Sequence, residues 1–400
     1  MNENPHTDVG EEPSKAITLT VLAISSLTIM ANTTIAPSLP GLAEKFSDVP
    51  NIETLLGLLL SLPSLAIIVT AAIMGLLAER IGRMPVLAVS LFLYALGGAS
   101  GLFVDDITGL LIGRVVLGIG VAGTMTVATM LAADYWTGQA RAKFMGKQAA
   151  VMSMGGMIFL LLGGILSEYS WRGAFGLYLL SIPVFFIAWK NLKDSSAPAT
   201  DAKQIKVPLD WSICLKIGAL GFFTMAVFYL IPTRLPFLLA EMGHTSPTIA
   251  AIAIASTTLA GVISSINFQK IRSRLSPVGI YALGFLLMFI GFALITTGYN
   301  LPQIIVGGLF IGLGLGAIMP NQSTWMMDAV NPAARGRAAG ILTTFVFAGQ
   351  FAGPLLAGLV AFAMPLRGIF TLFAGSLAVM AVVMFFIAYS ESRRTSTAKS

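Results

Sequence analysis

The sequence predicts an all-α polytopic membrane protein in which twelve transmembrane helices form two pseudo-symmetric six-helix bundles. Three observations support this fold class. First, 56% of the 400 residues are hydrophobic and only 10% are charged, whereas a soluble domain carries about 25% charged residues. Second, apolar stretches of roughly 20 residues, each long enough to cross a bilayer as a helix, recur along the whole chain. Third, the second half of the chain repeats the first.

The apolar stretches are separated by short polar or basic segments. The first fifteen residues lack the basic start and the cleavage site of a signal peptide, so we expect the first apolar stretch to remain as a membrane span. In chain order, spans 1 to 12 are predicted at 16–38, 53–77, 85–103, 107–133, 145–167, 171–190, 211–239, 246–268, 278–299, 302–326, 338–363 and 366–389.

The longest connection between spans divides them six and six. Its sequence, NLKDSSAPATDAKQIKVPL, is polar and contains Pro, Ser and Ala, as is typical of a linker between domains. The predicted organisation is an N-terminal tail (1–15), a first bundle (16–190), a linker (191–209), a second bundle (210–390) and a C-terminal tail (391–400).

The lysines and arginines predict the orientation in the membrane. With an even number of spans both termini lie on one side. If that side is the cytoplasm, nineteen basic residues are cytoplasmic and only four, Lys45, Arg172, Arg234 and Arg367, lie outside. Such an excess is typical of cytoplasmic loops. The net charge of +6 therefore reflects topology and not a nucleic-acid surface. The sequence predicts a multi-pass protein of the cell (inner) membrane with both termini in the cytoplasm.

The two halves align at a constant offset of 194 positions. Glycines match at this offset, but so do an aspartate and arginines, which coincide less often by chance. The pairs include Gly113 with Gly307, Gly118 with Gly312, Gly120 with Gly314, Asp134 with Asp328, Arg141 with Arg335 and Gly155 with Gly349. A parallel repeat of two six-span bundles, with substrate held between them near the bilayer midplane, is a recurring transporter plan.

Three motifs give the chain a family resemblance. Gly75-Leu-Leu-Ala-Glu79-Arg80-Ile-Gly82-Arg83 lies between spans 2 and 3 and resembles the loop signature of the major facilitator superfamily. Arg114-Val-Val-Leu-Gly-Ile-Gly in span 4, and Ala-Pro-Ser-Leu-Pro from position 36, resemble signatures of its twelve-span drug:proton antiporter branch. The resemblance covers essentially the whole chain, and it implies alternating access of a central site to each face of the membrane.

The resemblance also implies a conformational latch that holds the two halves in the outward-open state. Glu79 can face the N-terminal end of span 11, whose dipole favours negative charge, and Arg83 can pair with Asp134. The alternative is that Arg80 and Arg83 only set the topology. The latch residues implied by the resemblance are Gly75, Glu79, Arg80, Gly82, Arg83 and Asp134.

The antiporter signature expected in span 5 is incomplete, because Phe159-Leu160 stands where the branch has Gly-Pro. A similar pattern occurs in span 11 as Gly349, Gly353 and Pro354. A proline within a span frees a backbone carbonyl and bends the helix, so we predict that this helix-bend motif has moved to the second half. The departure weakens the case for antiport and leaves the case for transport intact.

No carboxylate lies near the middle of a predicted span, which argues against an exporter dedicated to organic cations. Arg114 lies within span 4, where a charge is costly, so we expect it to face a wet cavity or a partner; the alternative is a structural arginine bound to backbone carbonyls. Arg234 lies either in the cavity or at the outer interface. Other polar residues line the path or only join helices. The predicted substrate or proton pathway comprises Asn32, Arg114, Gln148, Tyr229, Arg234, Asn321, Gln322 and Gln350.

Two functional hypotheses follow. The first is proton-coupled efflux of amphiphilic drugs or metabolites, neutral or anionic in preference to cationic, with coupling at Asp134, Glu53 or an ionisable group of the substrate. The second is a facilitator or importer of an organic anion. An enzyme is not predicted, because the spans carry no Asp pair, Ser–His pair or metal cluster, and a receptor of the same fold would bind without flux. We expect a monomer with a small-molecule substrate, protons and membrane lipid as partners, and no nucleic acid, cofactor or metal.

Overall fold

The computed structural model describes residues 13–192 and 208–397, and within these ranges it contains twelve helices long and apolar enough to span a membrane. Most of the predicted linker and N-terminal tail, and the last three residues of the C-terminal tail, lie outside the described residues. The spans run Lys15–Lys45, Ile52–Ile81, Arg83–Leu102, Ile107–Tyr135, Gly138–Tyr169, Gly173–Asn191, Trp211–Glu241, Pro247–Ile266, Pro277–Thr297, Leu301–Ala329, Arg335–Ala361 and Leu366–Glu391. The predicted fold class is confirmed.

Spans 1 and 7 are each divided into two α-helical segments, and prolines explain both breaks. Span 1 is helical over Lys15–Thr33, turns through Ala36–Ser38 and resumes at Leu39–Lys45. Span 7 consists of Trp211–Phe228 and Leu230–Glu241. Proline has no backbone N–H to donate to the carbonyl four residues earlier. Pro37 and Pro232 therefore interrupt the helix at Thr33 and Phe228, which are the last residues of the first segments.

Two further spans are longer than predicted. Span 5 begins at Gly138, seven residues before the predicted start, and the last helix continues to Thr397. Both extensions are polar and basic, as in the sequence Gly-Gln-Ala-Arg-Ala-Lys that opens span 5. Hydropathy detects only the part of a helix that lies in lipid, so it misses turns that extend beyond the bilayer.

Close glycine contacts repeat in the two halves and establish the internal repeat in three dimensions. A Cβ on Gly97 of span 3 would come within 2.6 Å of the Gly113 carbonyl oxygen in span 4. A Cβ on Gly291 of span 9 would lie 2.5 Å from the carbonyl oxygen of Gly307 in span 10. These four residues are related by the offset of 194. Small residues let membrane helices approach closely, which explains why the glycines occupy matching positions.

The two bundles meet through the halves of the spans that are remote from the termini, which we call the far side. Gly358 of span 11 lies against Thr54 of span 2, and Gly164 of span 5 lies against Ala251 of span 8. The turn Ala36–Ser38 and the segment that follows it contact the second segment of span 7. All these contacts lie on the far side, so the bundles are closed there.

At the opposite end, which we call the termini side, spans 5 and 11 are no longer covered by the other bundle. Thr343 and Thr344 of span 11 and Ala149 and Ala150 of span 5 are exposed. These residues precede the far-side contacts of their helices by at least two turns. The structure is therefore closed on the far side and open toward the termini side.

Candidate functional site

Four side chains from three spans of both bundles meet where the open path ends. Ser64 of span 2 donates a hydrogen bond to Oε1 of Gln350 in span 11, at 3.0 Å. The Gln350 Nε2 contacts Sδ of Met225 in span 7 at 3.8 Å. Tyr229, at the break of span 7, has its hydroxyl group close to Ser64. We call Ser64, Met225, Tyr229 and Gln350 the interface cluster.

The interface cluster lies near the middle of the membrane. Ser64 is twelve residues into the helix that begins at Ile52, or about 18 Å from its far-side end at 1.5 Å per residue. Ser64 is fully buried and Tyr229 is 5% exposed, while Gln350 is partly exposed. The cluster offers neutral hydrogen-bonding groups and a polarizable thioether, which suit an uncharged polar group on an otherwise apolar molecule.

Two further predicted pathway residues lie in the first bundle. Asn32 is partly buried, and its Oδ1 is enclosed without a hydrogen-bond partner in the described part of the chain. Gln148 of span 5 donates from Nε2 to Oγ of Ser25 in span 1, at 2.7 Å. Gln148 thus joins two helices of one bundle, whereas Asn32 retains an acceptor for a ligand or water.

Asn321 and Gln322 of span 10 pack inside the second bundle. Asn321 is fully buried and donates from Nδ2 to the Pro277 carbonyl oxygen at 2.9 Å, which ties span 10 to the start of span 9. Gln322 is 1% exposed, and its Oε1 would lie 2.9 Å from a Cβ placed on Gly221 of span 7. Both residues therefore connect helices in this structure.

Arg114 is enclosed among aromatic rings and not exposed to the open path. It is 1% exposed, and its Nη1 donates to the Tyr178 hydroxyl at 3.0 Å. That hydroxyl donates to the Ala31 carbonyl oxygen of span 1 at 3.1 Å. The guanidinium carbon lies 4.8 Å from the ring centre of Phe175 and 4.9 Å from that of Tyr178. Cation–π contacts of this kind offset part of the cost of burying the charge.

Arg234 lies at the far-side junction of the two bundles. Its side chain is 1% exposed, and its Nη1 lies 2.8 Å from Oε2 of Glu53, the second residue of span 2. Glu53 itself is 52% exposed. The two alternatives for Arg234 were the cavity and the outer interface with lipid headgroups; the structure places it in protein, bonded to the other bundle.

A second carboxylate closes the far side between spans 5 and 8. Glu168, near the end of span 5, accepts a hydrogen bond from the Ser246 hydroxyl and another, at 3.2 Å, from the backbone N–H of Thr248. Thr248 is in the first turn of span 8, where unpaired backbone N–H groups favour an anion. Both far-side carboxylates belong to the first bundle and both accept from donors of the second.

The six latch residues separate into a paired and an exposed set. The Arg83 side chain is 10% exposed and its Nη2 lies 3.0 Å from Asp134 Oδ1. Gly82 has φ +98°, which a side chain would strain. Gly75 faces Thr126 of span 4 without crowding. The remaining two, Glu79 and Arg80, are exposed, and within the described residues Glu79 forms no hydrogen bond or ion pair with span 11.

The second bundle repeats the Arg83–Asp134 pair. Arg272, which follows span 8, forms an ion pair with Asp328 near the end of span 10. Asp134 and Asp328 are related by the repeat offset. Each half therefore carries its own ion pair at the termini side, and each pair lies within a bundle and not between the two.

Gly349 and Gly353 bring span 11 against the backbone of span 7. A Cβ on Gly349 would lie 2.2 Å from the Phe222 carbonyl oxygen, and one on Gly353 the same distance from that of Ala226. Pro354 lies beside Gly57 of span 2, where a Cβ would approach it to 3.4 Å. The helix continues from Arg335 to Ala361 through Pro354. The motif thus forms the contact surface of span 11.

Sequence reasoning missed Ser64, Tyr178 and Glu168. Ser64 stands in an apolar stretch as one of many small residues, and nothing local distinguishes it from a residue that packs against lipid. Tyr178 and Glu168 become informative only through partners 64 and 78 residues away. Glu53 and Arg234 are 181 residues apart in the sequence, so their pairing could be found only once the arrangement of the two bundles was known.

Comparisons with known proteins agree on one family. The sequence profile of the Major Facilitator Superfamily matches residues 21–297 and 217–400. The quinolone resistance protein NorA of Staphylococcus aureus (strain MRSA252) is 23% identical over 313 residues, which cover 76% of this chain and 80% of NorA. Among solved structures, a D-xylose–proton symporter has a TM-score of 0.76 at 16% identity, over 92% of this chain and 96% of the symporter. The human organic anion transporter MFSD10 (TETRAN) has a TM-score of 0.65 at 18% identity, over 92% and 99% of the two chains.

Proposed function

The chain belongs to the Major Facilitator Superfamily and is a membrane transporter, and from that premise we propose that it exports amphiphilic drugs or metabolites by proton-coupled alternating access. The observation that carries the proposal is the interface cluster. It joins both bundles at mid-membrane, below a closed far side and at the end of a path open to the termini side. A molecule bound there would be released to the far side when the bundles rock.

We place both termini in the cytoplasm, because the basic residues concentrate on that side. In this orientation the structure is the inward-open state and the far side is the outer face. Efflux then begins with the state seen here, since substrate enters from the cytoplasm or from the inner leaflet. The similarity to NorA, a quinolone resistance protein, supports this direction.

We propose neutral or anionic amphiphiles as substrates in preference to cations. The interface cluster contains no charged group, and the acids of the described spans lie near helix ends, so a cation would meet no carboxylate at this depth. Tyr229 and Gln350 supply hydrogen bonds, and Met225 supplies an adaptable apolar contact. Asn32, with its unpaired Oδ1, is a further candidate contact.

We propose three candidates for the site of proton coupling. Without a mid-span carboxylate, coupling falls to Asp134, to Glu53 or to an ionisable group of the substrate. Asp134 is held by Arg83 at the termini side and Glu53 by Arg234 at the far side. Asp134 lies on the side that is open here, and Glu53 lies on the side that is closed. The protonation of each carboxylate can therefore be linked only to the opening and closing of its own side.

A second candidate function is facilitated transport or import of an organic anion. Two buried arginines, Arg114 and Arg234, favour it, because each keeps Nε and Nη2 without a hydrogen-bond partner among the described residues. These donors would suit a carboxylate if another conformation exposed them. The similarity to an organic anion transporter of the same fold is consistent with this alternative.

Transport by purified protein in liposomes tests both functions. We expect a quinolone and a neutral steroid to be accumulated against their gradients when a pH gradient is imposed, and a cationic dye to be carried poorly. Flux of an anion down its own gradient, unchanged by the pH gradient, would favour the facilitator. Uphill transport of the cationic dye alone would contradict the substrate class.

A pair of variants connects the assay to the interface cluster. Gln350→Leu should lower substrate flux at least tenfold, because it removes both polar contacts of the side chain. Gln269→Leu, which changes an exposed glutamine in the short helix Phe268–Arg272 after span 8, should leave flux within about twofold of the parent. Equal activity of the two variants would exclude the interface cluster as the substrate site.

A further inference from the structure

Among the described residues, the only side-chain hydrogen bond of Arg234 crosses from one bundle to the other. We propose that Glu53 is a proton-binding site on the far side of the transporter, and that its protonation opens the far-side closure. The inference rests on the alternating-access part of the proposed function. It does not require that the bound proton be carried across the membrane.

The closed far side depends on the charge of Glu53. The Arg234 guanidinium is buried in protein, and its Nε and Nη2 have no partner among the described residues. The carboxylate of Glu53 is therefore the one group that compensates the buried charge. A buried charge without a counter-ion is strongly unfavourable, so neutralising Glu53 favours any conformation in which water reaches Arg234. Separation of the bundles on the far side is such a conformation.

Protons can reach Glu53 from the far side while the closure is intact. Glu53 is 52% exposed, and it lies in the first turn of span 2, at the membrane surface. In the closed state the Glu53 carboxylate lies 2.8 Å from Arg234 Nη1, and separation of the bundles breaks this contact. Protonation of Glu53 removes the charge that compensates Arg234, so it favours the open state. Acid on the far side shifts the equilibrium toward opening, and alkali shifts it toward closure.

Six charged groups besides Glu53 lie near the start of span 2. Apart from Arg234, none of them is bonded to Glu53 among the described residues, and the part of span 11 beside Thr54 carries no charge. The charged groups on the elements packed against the start of span 2 are Glu44, Lys45, Asp48, Arg114, Arg234 and Glu241. Elsewhere on the far side, Glu168 bonds to Ser246, which lies two residues after His244. Among the described residues, only Glu53 forms an ion pair with a buried cation of the other bundle.

A cysteine reporter of far-side opening tests the proposal without a transport assay. Cys214, the single cysteine of the chain, is first replaced by Ala. Ser38→Cys then adds a thiol at a position that is 1% exposed and packs beside span 7 in the closed state. A membrane-impermeant maleimide is applied from the far side of reconstituted protein at several far-side pH values, and each rate is corrected for the pH dependence of thiol labelling with a fully exposed cysteine.

We expect corrected labelling to accelerate about two- to threefold between about pH 7 and about pH 4. A model glutamate carboxyl group, with a pKa of ~4.3, is about two-thirds protonated at the lower pH. By linkage, a proton that binds only in the open state then raises the open-to-closed ratio by up to about threefold. In Glu53→Gln the labelling should be fast and independent of pH. Glu53→Asp keeps a titratable carboxyl group and should restore the response.

Two variants serve as controls. Glu44→Gln removes an exposed acid of the same face that makes no side-chain bond in the described chain, and Glu168→Gln removes the second far-side carboxylate. The proposal is overturned if labelling of the parent does not respond to pH, or if Glu53→Gln keeps the full response while Glu168→Gln loses it. If Glu53→Gln fails to fold, the pH dependence of labelling in the parent and in Glu53→Asp still tests the proposal. None of these outcomes depends on proton-coupled transport, so the proposed function and this proposal can fail separately.

Discussion

Gly349 and Gly353 allow spans 7 and 11 to pack closely because glycine has no side chain. Each lies where a Cβ would be 2.2 Å from a carbonyl oxygen of span 7, and a backbone atom cannot move aside as a side chain can. The sequence pattern was interpreted as a bend because of Pro354. The contact could not be predicted, because the partner carbonyls belong to a helix more than a hundred residues earlier.

The close approach predicts opposite effects for two glycines of the same helix. Gly353→Ala should lower the free energy of unfolding by about 1–3 kcal/mol, because overpacking moves span 11 away from span 7. Gly340→Ala has nothing within 4 Å of its new Cβ and should stabilise the helix by up to about 1 kcal/mol. Thermal unfolding in detergent measures both variants. Equal shifts would mean that the spans separate easily at this point.

At the scale of the element, the spans were predictable and their breaks were not. Hydropathy located all twelve helices, because an apolar segment about twenty residues long is the length that crosses the hydrocarbon core as a helix. It did not show that spans 1 and 7 stop at Thr33 and Phe228, since Pro37 and Pro232 are also compatible with a kinked continuous helix. The far-side packing that stabilises the resumed segments is a tertiary effect.

The contact between spans 2 and 11 predicts a cross-link that fixes the closed far side. A Cβ on Gly358 would lie 3.3 Å from Cβ of Thr54, close to the separation of about 3.5–4.5 Å found in disulfides. With Cys214 replaced, Thr54→Cys combined with Gly358→Cys should form a disulfide on mild oxidation and lose transport by at least tenfold. Reductant should restore it.

The single variants are the controls for this cross-link. Each carries one new thiol and should keep its transport rate through oxidation and reduction. Full transport by the oxidised double variant, with the disulfide verified by mass spectrometry, would show that spans 2 and 11 need not separate on the far side. Alternating access through this contact would then be excluded.

For the whole molecule, the repeat was predicted and the conformation was not. The offset of 194 correctly paired Gly97 with Gly291 and Gly113 with Gly307, and the structure places both pairs in equivalent contacts. The sequence of a transporter contains the residues that form contacts in each of its conformational states. It therefore predicted the latch residues and the far-side charges together, although not all of their contacts are formed in the state described here. Here Arg234 is bonded and Glu79 is exposed.

The exposed Glu79 predicts how the population of states responds to its removal. If Glu79 contacts the start of span 11 only when the far side is open, Glu79→Gln removes a stabilising charge–dipole contact, worth about 0.3–1 kcal/mol, from that state alone. Far-side labelling of the Ser38→Cys reporter should fall about two- to fivefold, while thermal stability of the state described here stays unchanged. Glu79→Asp retains the charge and should lie between parent and Glu79→Gln. Unchanged labelling in Glu79→Gln, with normal transport, would leave Glu79 without a latch role and restrict this loop to setting topology.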